Sequence, residues 1–479
     1  MVPMNAPERV FKYEEVAAGI ADLIKSGALR PGDPLPSVRE LSRQRSISIT
    51  TVLQGYYALE DRGLVQARAR SGFYVQTRLP ADLLEPDISS PPPDPMSVSV
   101  RDLIMMVLRD AENPRLVQMG AAYPNPGLTA TAKLDRILAA LARRPGGADA
   151  CYELPVGPEA LRAQIARRAA ATGCNLSPED ILTTTGCTEA MNLCLRAVCR
   201  PGDTVAVESP ICFDTLQYLE ALGLKALEIP THPRDGISLD ALRFAIAQMP
   251  VRVCIVISNF NNPLGSCIPD GNKRELVRML AAQDIPLIEN NVFGEIYFGA
   301  QPPGVAKSYD RKGLVMLCSS FSKDLCPSYR VGWVAPGRFK RDVEWLKYSS
   351  SFATATLPQL AIAEFMSSGA HGHHLRGIRQ AYARRVAGLL QAISRYFPPD
   401  VRLTRPAGGF VVWVQLPEKV DSLALYRLAL RERIAITPGD LFSATNRYRN
   451  FIRLNAANWS EQAEAGVRRL GELVGELAG

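Results

Sequence analysis

Ser320-Phe-Ser-Lys-Asp-Leu-Cys-Pro-Ser-Tyr-Arg-Val-Gly-Trp333 is the stretch on which the reading turns. A β-like run, Gly313–Cys318, precedes it, so Lys323 falls at a strand end. Ser320 and Ser322 flank the lysine, and Arg330 follows seven residues on. An amine so placed can form a Schiff base while the two hydroxyls and the guanidinium hold a phosphate. A lone lysine reads as a surface side chain, so the assignment needs further pieces.

Those pieces occur in order along the chain. Thr183-Thr-Thr-Gly-Cys-Thr-Glu-Ala-Met191 ends a strand and opens a helix. Free amides at a helix start form an anion cradle, which suits Gly186, Cys187 and Thr188 to a phosphate. Val205–Phe213 is a strand whose following loop presents Phe213, a ring able to stack on another planar ring. Cys254-Ile-Val-Ile-Ser-Asn-Phe-Asn-Asn-Pro-Leu-Gly265 is a buried strand, then a turn offering Asn262. Ile285–Phe293 is another strand with polar residues at its end. Strands alternating with helices, each carrying a polar candidate at its C-terminal end, describe an α/β sheet with a site along that edge.

This order resembles the fold-type I, pyridoxal-phosphate-dependent aminotransferases, from about Gly120 to the C-terminus. The resemblance implies pyridoxal 5'-phosphate on Lys323, with Asn262 bonding the ring oxygen and Phe213 stacking on the ring. It places Thr188, Ser320, Ser322, Arg330 and the amides near Gly186 and Cys187 on the phosphate. Tyr152 matches a tyrosine that reaches the partner subunit's phosphate, which implies a homodimer. Arg453, in Phe-Ile-Arg-Leu-Asn455, matches the arginine that grips a substrate carboxylate; by itself it also fits a surface ion pair. Two positions depart. The family places an Asp opposite the pyridine nitrogen, and here Asn290 stands there; the neighbouring Asn291 gives the same result under a shifted alignment. A neutral amide forfeits most of the roughly one to three pKa units by which a nearby carboxylate favours the protonated nitrogen. Phe293 stands where a Tyr hydroxyl is usual. Cofactor binding with little or no transamination is the expectation.

The first 78 residues read differently. Tyr13 to Gly27 is a helix with Val16, Ile20, Leu23 and Ile24 on one face. Ser37 and Glu40 have capping-box spacing at a second helix, and Ser48 caps a third, Ile49 to Arg62, ended by Gly63. Two β-like runs follow, Leu64–Arg68 and Gly72–Gln76. Eleven Lys and Arg against eight acids give this block a net +3. Small polar side chains at the third helix start (Ser48, Thr50, Thr51) suit a major groove, and Arg39, Arg68 and Arg70 suit phosphates or a minor groove. A helical interaction module with no DNA fits the same pattern.

Gly27-Ala-Leu-Arg-Pro-Gly-Asp-Pro-Leu-Pro-Ser-Val-Arg-Glu-Leu41, Ser48-Ile-Thr-Thr-Val52 and Ser71-Gly-Phe-Tyr-Val75 resemble the GntR winged helix-turn-helix. That likeness implies transcriptional regulation on double-stranded promoter DNA. The contact set becomes Ser37, Arg39, Ser48, Thr50, Thr51, Arg68, Arg70 and Gly72. Many relatives carry Arg where Ile49 stands; Ile49 either touches a thymine methyl or packs.

The divisions read as a winged helix-turn-helix at 8–77, a linker at 78–112 and an aminotransferase-like domain at 113–479. Its smaller α+β part starts at about 375. Leu79–Pro95 is rich in Pro, Ser and acid, which reads as an extended, partly polyproline-like linker; Met96 to Asp110 then has helical spacing. The whole resembles the MocR subfamily of bacterial regulators. That likeness implies a homodimer whose cofactor domain senses an amine, an amino acid or the cofactor itself. An aminotransferase with an appended DNA-binding domain is the alternative.

Over 479 residues the net charge is +7, 47% of residues are hydrophobic and 22% charged, an ordinary globular composition. No apolar run approaches the ~20 residues of a membrane span, and the N-terminus lacks a signal-peptide core. Ten scattered cysteines without a CxxC pair fit a reduced cytoplasm and argue against a disulfide framework or a zinc site. Three of the four histidines cluster at 371–374, read as a solvated helix start rather than a metal site.

Overall fold

The computed structural model describes residues 12–26, 28–29, 32–62, 64–68, 71–76, 84–97, 101–144, 152–445 and 447–479. The chain divides after Leu83 into two units.

The first unit contains helices α1 (Lys12–Lys25), α2 (Val38–Arg45) and α3 (Ile49–Asp61), then strands β1 (Val65–Arg68) and β2 (Gly72–Val75). The strands pair antiparallel as a wing. Ser37 Oγ accepts the Glu40 amide at 3.2 Å and starts α2. Ser46, with φ 52°, closes α2, and Ser48 Oγ accepts the Thr51 amide at 3.0 Å to start α3. α1 packs on α3 at Gly55, where a Cβ would stand 2.9 Å from the Tyr13 carbonyl oxygen and from Val16 Cγ1. Val16, Ile20, Leu41, Val52, Tyr56, Leu59, Val65 and Phe73 form the core, and the Tyr56 hydroxyl donates to the Pro36 carbonyl at 2.8 Å. Leu23 departs from expectation: it is 41% exposed. The buried stripe follows the i, i+4 ridge of Val16, Ile20 and Ile24 with Ala17 and Ala21 beside it, which leaves Leu23 at its edge. Gly27, Gly63 and Arg70 lie outside the described residues, and Arg68 is described by its backbone alone.

The second unit opens with residues expected to form a linker. They are instead fastened to its own sheets. The Ser89 hydroxyl donates to the Ser209 carbonyl at 2.5 Å and accepts the Thr231 amide at 2.9 Å. Arg402 pairs with Asp87 at 2.7 Å, and Arg234 pairs with Glu85. Prolines deny this segment a ladder of its own, but serine and carboxylate side chains supply partners in their place. Met96 does not begin a helix: β3 (Met96–Ser97) adds an antiparallel strand to the main sheet, and α4 (Arg101–Ala111) follows.

Then come β4 (Val117–Gln118), α5 (Thr131–Ala142), α6 (Glu159–Ala170), β5 (Leu182–Thr184), α7 (Gly186–Val198), β6 (Thr204–Ser209) and α8 (Phe213–Ala221). β7 (Lys225–His232), β8 (Gly236–Ile237), α9 (Leu239–Gln248), β9 (Val251–Val256), α10 (Asp270–Ala282), β10 (Leu287–Asn290), β11 (Val315–Ser320) and β12 (Gly332–Ala335) continue the alternation. The main sheet has the order β3-β7-β6-β9-β10-β11-β12-β5, with β8 attached to β7. The run from β7 to β11 is parallel; β12 is antiparallel to both neighbours. Buried runs such as Val-Cys-Ile-Val in β9 suit strands covered on both faces.

Helices α11 (Lys340–Ser350), α12 (Thr356–Ser367) and α13 (Ala370–Tyr396) lead to a four-stranded antiparallel sheet. That sheet holds β13 (Arg402–Leu403), β14 (Val411–Gln415), β16 (Thr437–Pro438) and β17 (Phe451–Asn455). α14 (Ser422–Arg431), β15 (Ile434–Ala435) and the terminal α15 (Glu461–Ala478) complete the α+β part, and β15 pairs with β4.

Candidate functional site

Glycine decides the geometry of the anion cradle. Gly186 follows β5 with φ +74°, and a Cβ on it would stand 2.4 Å from Arg330 Nη2. Only glycine lets the guanidinium lie against the start of α7. Thr185 provides no side-chain cap there. Arg330 itself has φ +53°, a left-handed conformation that costs a non-glycine residue about 1–2 kcal/mol, and its Nη1 donates to Ser322 Oγ at 3.1 Å. Ser322 in turn donates its amide to Ser320 Oγ at 3.4 Å. Helix amides, two hydroxyls and a held guanidinium fit a phosphate monoester.

A cavity of about 210 Å³ opens beside the cradle, lined by Cys187, Thr188, Phe213, Asn262, Asn290, Phe293, Ser320, Ser322, Lys323, Arg330 and Arg453. Lys323 Nζ donates to the Ala122 carbonyl at 2.8 Å and stands 5.7 Å from the centre of the Phe293 ring. Burial lowers its pKa, against the opposing pull of Asp214. A larger neutral fraction is the nucleophilic form an imine requires. Phe213 packs edge-on against Phe442 at 5.7 Å, a support that fixes its ring.

Asn290 Oδ1 accepts the Val292 amide at 3.2 Å and a weak thiol contact from Cys187 at 3.7 Å. With the oxygen engaged, its NH2 is the group left to face a ligand, and an NH2 only donates. Phe293 is buried against Phe410 and offers no polar atom. Arg453 is buried rather than at the surface. It donates to Asn262 Oδ1 at 3.0 Å, to the Gly120 carbonyl at 2.8 Å and to Thr437 Oγ1 at 3.3 Å, while its buried Nε has no partner among the described residues. An unsatisfied charged donor at a cavity wall suits an incoming anion.

Asp324 of the lysine loop belongs to a partly buried polar cluster. Glu295 accepts from Arg168 and Arg379, and Asp324 is pushed up to about 7 by burial and then by Glu295. His371 and His374 correct the expected solvated helix start. They do open α13, yet His371 is buried, with its pKa pushed down to about 4, and His374 Nε2 sits 2.6 Å from the Asp324 carbonyl. Both pack edge-on against Phe365; His371 is buried and His374 half-buried, while His373 between them is exposed.

Tyr152 does not reach this cavity: it is 93% exposed, 5.6 Å from Phe352. Sequence reasoning missed Val107 and Leu108 of α4, Tyr123, Cys212, Asp214 and Tyr218, which also line the cavity. Only Asp214 carried a usable signal, as the polar neighbour of a stacking candidate at a strand's C-terminal edge.

In the first unit, the Ser48 and Thr51 oxygens lie 2.8 Å apart and serve the α3 cap. Thr50, Arg39 and Gly72 are exposed; Gly72 turns the wing with φ +98°. Ile49 is 48% exposed, so it does not pack.

Residues 12–75 match the family model for bacterial regulatory proteins of the gntR family, and residues 121–470 that for aminotransferase class I and II. The HTH-type transcriptional regulator YjiR of Escherichia coli K12 is 38% identical across 97% of this chain and 98% of its own length. The chain is a MocR-type regulator. Its aminotransferase part has solved neighbours. One is the α-aminoadipate aminotransferase LysN of Thermus thermophilus, complexed with N-(5'-phosphopyridoxyl)-L-leucine, at 28% identity and TM-score 0.72 over 78% of this chain and 95% of that one. Another is an archaeal alanine:glyoxylate aminotransferase, at 26% identity and TM-score 0.74 over 80% of this chain and 96% of that one. The MocR-type chain thus couples a GntR reading unit to a fold-type I α/β domain. No helix among the described residues is long and apolar enough to cross a membrane.

Proposed function

We propose that this MocR-type regulator binds pyridoxal 5'-phosphate at Lys323 and uses the loaded cavity to sense a small amine or amino acid. The observation that carries the reading is the meeting, around one cavity, of a half-buried lysine, a phosphate-shaped cradle and a buried arginine with a free donor. The cofactor supplies an aldehyde that captures primary amines and a ring that withdraws electrons. Arg330, Ser320, Ser322 and the α7 amides hold its phosphate, Phe213 covers its ring and Asn262 serves the ring oxygen. Arg453 takes a ligand carboxylate.

The chain's own residues favour sensing over turnover. Asn290 offers a ring nitrogen a donor and no negative charge to keep it protonated, and Phe293 cannot steady the ring oxygen. Asn290→Asp should therefore raise keto-acid formation at least about tenfold from a low base, as a shift of one pKa unit in the ring nitrogen suggests. Keto-acid formation is measured over repeated cycles with an amino donor and a keto-acid acceptor. Unchanged rates count against this account of Asn290, and many rapid turnovers in the wild type favour the aminotransferase alternative.

A second copy completes the assembly in this reading. Exposed Tyr152, Trp345, Tyr348 and Phe352 form an aromatic patch that a partner subunit would cover. Two reading units then meet two half-sites, and a ligand regulates by binding two arrangements with different affinity. Ser48 and Thr51 position α3, while Thr50 and Ile49 face bases and Arg39 faces phosphate. Arg39→Ala should weaken binding uniformly across sequences and reduce the salt slope by about 1, measured by fluorescence anisotropy over a salt series.

A further inference from the structure

Asp214 is the charged group of the cavity that the reading above leaves without work. It sits in the first turn of α8, one residue after Phe213, is solvent-exposed, and lines the cavity that holds Lys323 and Arg453. Its carboxylate accepts a weak thiol donation from Cys212 at 3.7 Å. Among the described residues it forms no ion pair, although a helix start by itself makes an acid there comfortable. It lines the cavity together with Lys323, Arg453, Tyr123 and Tyr218, and its charge favours the protonated forms of Lys323 and Arg453. Val107, Leu108 and Thr215 also line the cavity and carry no charge.

Charge arithmetic then selects the ligand. Arg330 answers the cofactor phosphate, and Arg453 answers a carboxylate. A ligand seated beside Asp214 displaces part of its water, and a carboxylate that loses water without gaining a partner is penalised. An amino acid with a neutral side chain leaves that cost to Lys323 and Arg453, which the cofactor and the ligand carboxylate also engage. A dicarboxylic amino acid adds repulsion. A second cation on the ligand removes both penalties with a charge-assisted hydrogen bond.

We infer that Asp214 is the specificity-determining residue of the sensor cavity and selects a dibasic α-amino acid. The inference rests on the cofactor reading above and names the ligand class for that site. One end of the ligand answers Arg453 and the other answers Asp214.

The test uses full-length protein loaded with pyridoxal 5'-phosphate. It is titrated with L-lysine against L-norleucine, L-ornithine against L-norvaline, L-2-aminoadipate and cadaverine. Binding is read both as the shift of the visible band and as heat. At least one dibasic amino acid should bind about tenfold or more tightly than its neutral partner, the range expected for one charge-assisted hydrogen bond. L-2-Aminoadipate should bind weakest. Asp214→Asn, checked for folding by its retained visible band, should bring each pair within about twofold, while Asp214→Glu keeps part of the preference. The inference is overturned if neutral partners or aminoadipate bind as well as the dibasic acids, or if the preference survives Asp214→Asn. Tighter binding of cadaverine overturns the α-amino acid in favour of a diamine. A loaded protein that answers none of these probes overturns the inference and leaves the cofactor reading standing. Absence of any band from the wild type sinks the cofactor reading itself.

Discussion

Lys323→Ala incubated with pyridoxal 5'-phosphate and desalted should stay colourless, while the wild type keeps a visible band through the same column. The physical reason is that two separable attachments meet at the cavity. The first is the amine, held at the Ala122 carbonyl and biased toward its neutral form by burial. The second is the cradle of α7 amides, Ser320, Ser322 and Arg330. Removing the amine leaves the second intact, so free cofactor should still bind reversibly by calorimetry, more weakly and without the colour of an imine. Lys323→Arg restores the charge but no competent nucleophile, and should be equally colourless. A coloured Lys323→Ala protein would move the attachment to another lysine. The reading unit has its own core of Val52, Tyr56, Leu59 and Phe73, so DNA binding without effector should survive the substitution.

That expectation could be written from the sequence because its parts are local. Lys323 and Arg330 lie within one strand-loop-strand passage, and Gly186 opens the helix after β5. Helix caps are local as well: Ser37 and Ser48 were legible, and both accept the amide three residues on. What was not legible depends on contacts between distant segments. The Pro-rich stretch looked free because its own composition builds no ladder, yet Ser89 is bonded to Ser209 and Thr231. His371 looked solvated because its sequence neighbours are polar; it is buried, with Phe365 packed edge-on against it. Val107 and Leu108 reach the cavity from a segment that local reading assigned to a linker. Arg453 was placed by likeness alone, and its partners, Gly120 and Asn262, are 333 and 191 residues away.

Gly186→Val should cost the protein its cofactor while sparing its fold, and a second glycine shows how to separate the two effects. Gly173 and Gly186 have nearly the same φ, +72° and +74°. Around Gly173 a Cβ meets nothing within 4 Å; at Gly186 it meets Arg330 Nη2 at 2.4 Å and Arg330 Cζ at 2.9 Å. Gly173→Ala therefore measures backbone strain alone, about 1–2 kcal/mol of stability. Gly186→Val adds to that strain the eviction of a guanidinium from the cradle. Arg330 cannot simply retreat, because Gly332 holds the same chain against the Gly186 backbone, where even a Cβ would be 2.5 Å from the Gly186 carbonyl carbon. Loss of one charge-assisted contact to a phosphate is worth about 1.5–3 kcal/mol, so the cofactor Kd should rise by about tenfold to a hundredfold. Equilibrium dialysis measures the Kd, and thermal unfolding of the cofactor-free proteins measures the strain. If Gly186→Val loses no more cofactor affinity than Gly173→Ala, the helix start is a structural junction and the phosphate sits elsewhere.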